Sequence, residues 1–165
     1  MLVGTNLRSF AQTPFSSSKY PYSFSIPDGW SVKNKIYLPA TDAKIVDGRG
    51  NSFIISVINM PNNFKGKSAT QVLSQLTDDE TKMSQSPTDF ENIIITKRGT
   101  TYISGRPFYF VFCSTPFPDG LRLNHKMFYY FYKSQCYTID CASISSMTTE
   151  VTPFLESMLL TLKFQ

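Results

Sequence analysis

The sequence predicts an α/β (α+β) fold, a three-layer α/β/α sandwich around a central, mostly antiparallel sheet. Three observations lead there. Aromatic residues make up 15% of the 165-residue chain, and Tyr and Phe favour pleated, half-buried positions. Strand-like segments crowd the second half of the chain with only short turns between them. Two segments, 67–87 and 148–164, instead repeat their apolar residues at helical spacing. Two helices separated by a long block of strands suit a sheet that is covered on both faces.

Residues 1–19 lack a period, end in "FSSSK", and read as a loose N-terminal arm; residues 20–165 read as one domain. The domain opens on "YSFSIPDGW". Tyr22, Phe24 and Ile26 point to one face of a strand and Ser23 and Ser25 to the other. Pro27 has no N–H to continue a ladder, and Pro27-Asp28-Gly29 supplies turn chemistry. The return, "WSVKN", is expected to pair back as a hairpin, with Trp30, the only tryptophan, as a core anchor. "AKIV" and "SFIISVINM" form a second hairpin around "DGRGN". Glycine-rich loops can cradle phosphate, but here no Lys-Ser/Thr and no helix follows, so a plain turn is the reading.

In 67–87, Ala69, Val72, Leu73, Leu76 and Met83 share one helical face, Ser68 caps the start, and Pro87 marks the stop. The Asp78-Asp79-Glu80 run points in several directions around that helix and makes a poor metal cage. From Phe90 onward come "FENIIITKRG", "TTYISG", "RPFYFVFCSTPF", "LRLNHKMFYYFY" and "CYTIDCASI". Turns are expected at Lys97–Gly99, Ser104–Arg106, Pro118–Gly120 and Lys133–Gln135. "FYFVF" and "MFYYFY" do not alternate, so both faces of their sheet must be apolar. In the last helix Val151, Phe154, Leu155, Met158 and Leu162 share a face, and Pro153 is expected in the first turn, where its missing N–H does least harm.

The composition excludes several classes. At 165 residues, with 41% hydrophobic and 17% charged, the chain is an ordinary globular domain that buries about two-thirds of its unfolded surface. The net charge of +4 comes from scattered lysines and arginines with no basic run, so no nucleic-acid partner is expected. Cys113, Cys136 and Cys141 are odd in number and lack C-x-x-C spacing. With one histidine, His125, they suggest neither a disulfide framework nor a zinc site. No metal, cofactor or catalytic residue is therefore assigned. No apolar run approaches the ~20 residues of a membrane helix. Ser9-Phe10-Ala11 has a small-x-small pattern, but the apolar stretch before it is broken by Asn6 and Arg8, and no signal peptide is read.

Taken in order, "YSFSIPDGW", "ISGRPFYFVF" and the closing "FLESMLLTLKF" resemble the Mog1/PsbP-like superfamily, which includes PsbP-like and DcrB-type domains. The resemblance covers residues 20–165; Thr161-Leu162 departs from the usual tail. It implies the sandwich fold and makes Pro27, Gly29 and Trp30 fold determinants. It carries no catalytic residue over to this chain.

The function this leaves is a non-catalytic protein-binding or accessory module, a monomer or weak dimer, with a protein partner that is acidic in character. Contact residues are sought in two loops that combine basic groups with free backbone: Arg49 in "DGRGN", and Phe64, Lys65 and Lys67 in "NNFKGKS" before a helix N-terminus. A second reading is a ligand pocket walled by Tyr109, Tyr129, Tyr130, Tyr132 and Tyr137, which as readily form core. The third is a hydrolase-like enzyme using His125 with a cysteine or with Asp140. Cys136 and Cys141 face opposite sides of one strand, and His125 is expected near a strand start at the solvent edge. Both points weigh against a ready-made site.

Overall fold

The computed structural model describes residues 11–33, 40–60, 64, 67, 71, 72, 74, 75, 93–117 and 120–165. Two antiparallel sheets and one long helix organise them. The strands, in chain order, are β1 (Gln12–Ser16), β2 (Tyr22–Pro27), β3 (Ser31–Val32), β4 (Thr41–Val46), β5 (Ser52–Asn59), β6 (Ile94–Ile103), β7 (Arg106–Pro116), β8 (Arg122–Tyr132), β9 (Gln135–Ile144) and β10 (Lys163–Phe164). Helix α1 (Thr148–Thr161) lies between the last two. The large sheet has the order β3-β4-β5-β9-β8-β7-β6 and the small one β1-β2-β10. The result is an α/β sandwich on an antiparallel sheet, as the composition and the helical segments predicted.

The core lies on the face of the large sheet that α1 and the small sheet cover. Tyr22, Phe24 and Ile26 of β2 are buried there with Ile45, Phe53, Ile55, Tyr137, Ile139, Val151, Leu155 and Met158. Tyr22 donates to Asp42 Oδ2 at 2.5 Å and Ser17 donates to the same oxygen at 2.6 Å, tying the small sheet to β4. Burial, then that carboxylate, push the Tyr22 hydroxyl far above the ordinary tyrosine range. The opposite face buries Tyr109 and Val111 beside Tyr129 and Phe131. Both faces of "FYFVF" are thus apolar because both are packed.

Four expectations give way. Residues 12–16 are not a loose arm: β1 pairs with β2, Phe15 opposite Phe24, their rings 4.8 Å apart. β1 is otherwise exposed and is held by its ladder rather than by burial, so its side chains give little signal. Second, "WSVKN" does not pair back on β2. Both edges of β2 are occupied by β1 and β10, so after the turn closed by Trp30 N–H on Pro27 C=O the chain crosses to the large sheet, where Ser31 and Val32 pair with Val46 and Ile45. Trp30 is buried as expected, 6.4 Å from the Phe154 ring.

Third, no turn forms at Lys97–Gly99. β6 runs through it with a bulge between Ile95 and Lys97. Gly99 serves close packing instead: a Cβ there would stand 3.3 Å from the Phe110 ring. Fourth, Pro153 lies in the second turn of α1. A 3-10 turn at Ser145–Met147 carries β9 straight into the helix, which starts earlier than the proline suggests. Of the 67–87 helix, Gln71, Val72, Ser74 and Gln75 are helical and Val72 is fully buried. Ser68, Ala69, Leu73, Leu76, Met83, Pro87 and the acidic run fall outside the described residues.

Candidate functional site

The turn "DGRGN" is a clamp. Asp47 accepts from the backbone N–H of Arg49 at 2.9 Å and of Asn51 at 3.2 Å, and from Asn51 Nδ2 at 2.7 Å. Burial alone would raise Asp47, but these donors and Arg49 hold its carboxyl below the ordinary range. Asn51, wholly buried, also accepts from the Ile144 N–H at 3.0 Å. Gly50 is favoured by its φ of +102; a Cβ there would also stand 2.7 Å from the tip of the Ile144 side chain, which could shift to admit it. Arg49 itself is committed to Asp47 at 3.1 Å and to Glu150 of α1 at 2.7 Å. It braces the turn against the helix.

Phe64 is buried rather than presented at the surface. Lys67 is exposed, stands 5.8 Å over the Phe64 ring and donates to Gln75 Oε1. Lys65 lies outside the described residues. The tyrosines divide between faces: Tyr109 pairs with Tyr129 on one, while Tyr130 and Tyr137 pack in the main core with Tyr132 against it. The five therefore do not share one face of the sheet, which corrects the reading of a single pocket walled by all of them.

His125 is not a solvated edge residue. It sits in β8, inside the sheet between β7 and β9, and its Nδ1 is 2.9 Å from Asp140 Oδ2, both side chains 20% exposed. The diagonal spacing of the two strands makes this pair. Cys113 stands directly opposite His125 on β7, so a Cys-His-Asp row does share one face. Parity placed Cys136 and Cys141 on opposite faces of one strand but did not consider Cys113. The hydrogen bond that His125 donates to Asp140 raises His125 above its ordinary value. Burial first, then the Asp140 charge, push the Cys113 thiol up, the direction that disfavours a nucleophilic thiolate. No hydrogen bond joins Cys113 to His125 among the described residues. Cys136 and Cys141 are buried and unbridged too, their thiols raised by burial, Cys136 to about 11. No three ligands among the described residues converge as a metal site, and no described helix is long and apolar enough to cross a membrane.

Two surface features complete the picture. A cleft of about 330 Å³ opens between α1 and β6–β9. Phe112, Phe128, Leu155 and Leu159 wall it, and Thr101 and Ile103 border it on β6. One rim carries the Lys126–Glu156 pair at 3.5 Å. One end carries a polar relay in which Asn124 donates to Thr148 Oγ1 at 2.9 Å, with Ser143 Oγ 3.1 Å from the same oxygen. The cleft was not foreseen, although Asn124, Lys126 and Phe128 share a strand parity that places polar beside apolar on one face. Beside it, β6 is the last described strand of the large sheet, and Ile94, Ile95 and Tyr102 are 47, 54 and 76% exposed.

No protein-family model matches the chain, and no curated protein matches its sequence. Solved structures do match. Cyanobacterial PsbP (CyanoP) from Synechocystis sp. PCC 6803 superposes over 100% of this chain and 99% of its own, with TM-score 0.64 and 14% identity. LpqN of Mycobacterium tuberculosis, involved in cell envelope biogenesis, covers 96% and 92% with TM-score 0.59 and 12% identity. A Pseudomonas aeruginosa protein of unknown function, a putative regulator, covers 93% and 97% with TM-score 0.51 and 15% identity. At these identities the likeness is one of fold, and it agrees with the motif order read from the sequence. The chain has the Mog1/PsbP-like fold.

Proposed function

We propose that this chain is a non-catalytic accessory module that works by docking to another protein. The observation that carries the reading is the outer edge of β6, along which no described strand pairs: a ten-residue strand, most of whose residues are exposed. Ile94, Ile95 and Tyr102 stand out in water there. Exposed apolar groups along a strand edge with no described neighbour are features that proteins cover or use. The neighbouring titratable row supports the non-catalytic part, since burial and Asp140 shift its thiol in the direction that disfavours a thiolate. CyanoP and LpqN share the fold, and the same fold serves many ends, so they support the architecture of the reading only. Lys67, exposed at the far loop, is proposed with Lys65 as a secondary contact for an acidic partner.

The test is affinity capture with the immobilised chain from extract of its own organism. A single protein retained in stoichiometric amount is expected, and none retained would overturn the reading. Turnover of an ester or thioester panel that Cys113→Ala abolishes would replace it with catalysis.

A further inference from the structure

We infer that β6 receives an extended segment of the partner as an added strand, and that the segment it fits is acidic, with one apolar side chain set into the cleft beside α1. This deepens the docking reading and rests on it.

The β6–β7 turn determines which backbone groups are on offer. Ser104 and Gly105 have φ of 50 and 75, both left-handed, which makes a two-residue I′ hairpin turn. The pair flanking such a turn, Ile103 and Arg106, exchanges both its hydrogen bonds, and alternation then turns Thr101 and Gly99 toward β7 as well. Thr100 and Tyr102 lie between them and direct N–H and C=O the other way, to the side where no described strand lies. An added strand would meet those groups with its own.

Natural edges are often blunted by bulges and lysines. Here both devices, the Ile95/Lys97 bulge and Lys97 itself, sit in the first half of β6. Thr100 to Tyr102 has neither. The usable register therefore runs from Arg98 to Ile103.

Charge and shape define the occupant. β6 carries Lys97 and Arg98 and no Asp or Glu, so an incoming strand with carboxylates is favoured over one with lysines; Arg106, across the turn, is already held by the Phe164 carbonyl and the Tyr130 hydroxyl. Side chains of that strand alternate between faces. Those on the α1 side reach the cleft at Thr101 and Ile103, where Phe112, Leu159 and the 55% exposed Leu160 offer apolar wall. Backbone bonds supply the grip and the cleft the selectivity, as in other strand-addition sites.

The experiment uses the full chain and a short fluorescein-labelled peptide alternating glutamate and valine around a central phenylalanine. A saturable rise in anisotropy is expected, with the lysine-for-glutamate peptide weaker by roughly tenfold or more. Thr100→Pro removes an outward N–H but no bond to β7. It should weaken the peptide roughly tenfold while the melting temperature hardly moves. Leu160→Glu, on the exposed side of α1, should weaken it independently of any change in β6. In hydrogen exchange, the Thr100 and Tyr102 amides should exchange fast in the free chain and slow when peptide is added.

Absence of saturable binding would overturn the inference, as would slow exchange at both amides in the free monomer. Concentration-dependent protection abolished by Thr100→Pro would assign the edge to a second copy of the chain, and so overturn it too. If a captured partner stays on Thr100→Pro, strand addition falls and the docking reading stands.

Discussion

Asn51→Ala should be the most damaging polar substitution in the described part of the chain. Its side chain is wholly buried and joins three segments: Asp47 in the turn, the Ile144 N–H at the end of β9, and Met147 Sδ at 3.6 Å. Alanine leaves the Ile144 N–H buried without an acceptor, which costs about 1–3 kcal/mol. Asp47 also loses one donor but keeps Arg49 and the backbone N–H groups, a smaller loss. A total near 3 kcal/mol follows, which for a chain of this length lowers the melting temperature by roughly 6–12 °C. Asn51→Asp separates the two halves of the clamp. It keeps an acceptor for Ile144 but sets a second carboxylate against Asp47, so its deficit should exceed that of alanine at neutral pH and shrink toward about pH 4 as one of the pair protonates. Calorimetry or urea melts of the three proteins decide it. A loss below about 0.5 kcal/mol for Asn51→Ala, the range of ordinary surface changes, would refute the clamp.

Trp30→Ala should cost about 3–5 kcal/mol, as for other large core aromatics; denaturation midpoints equal to wild type would put the ring in solvent. His125 contributes stability through its bond to Asp140, and because its folded value is raised, that contribution is complete below its ordinary value of 6.5 and is lost as pH rises through the higher folded value. His125→Asn should therefore flatten this part of the stability profile, and parallel profiles for the two proteins would show that the pair contributes nothing. Replacing Lys65 and Lys67 by Glu should leave melting nearly unchanged and weaken capture of the partner; undiminished capture would remove that loop from the proposed interface.

What was legible in the sequence follows from burial. Tyr22, Phe24 and Ile26 alternate because one face of β2 is in the core. "FYFVF" does not alternate because both of its faces are, and Val151, Leu155 and Met158 keep helical spacing against the same core. β1 was missed because its side chains are mostly exposed. The partner of β3 was missed because it depends on the neighbours that β2 already has. Gly99 read as a turn residue because a glycine that gives up its Cβ to a neighbouring ring has the same letter as one that needs positive φ. At the site, parity correctly separated Cys136 from Cys141. The Cys113–His125–Asp140 row and the cleft needed the register between strands far apart in the chain. Arg49 and Phe64 were chosen for loop composition, which does not distinguish a cation in solvent from one already held by Asp47 and Glu150.

The order of the large sheet also sets how the chain folds. β6 to β9 form a meander whose neighbours follow one another in sequence, and β3 to β5 form a second one. The two meet along a single seam, Ser52–Asn59 of β5 against Gln135–Ala142 of β9. Local pairings close quickly and distant ones slowly, so we expect the four-strand meander to assemble first and the seam to zip last. Phe128→Leu, inside the meander, should then slow folding, whereas Ile55→Val, on the seam, should leave the folding rate almost unchanged and speed unfolding. Stopped-flow chevrons that show the opposite partition would reverse that order.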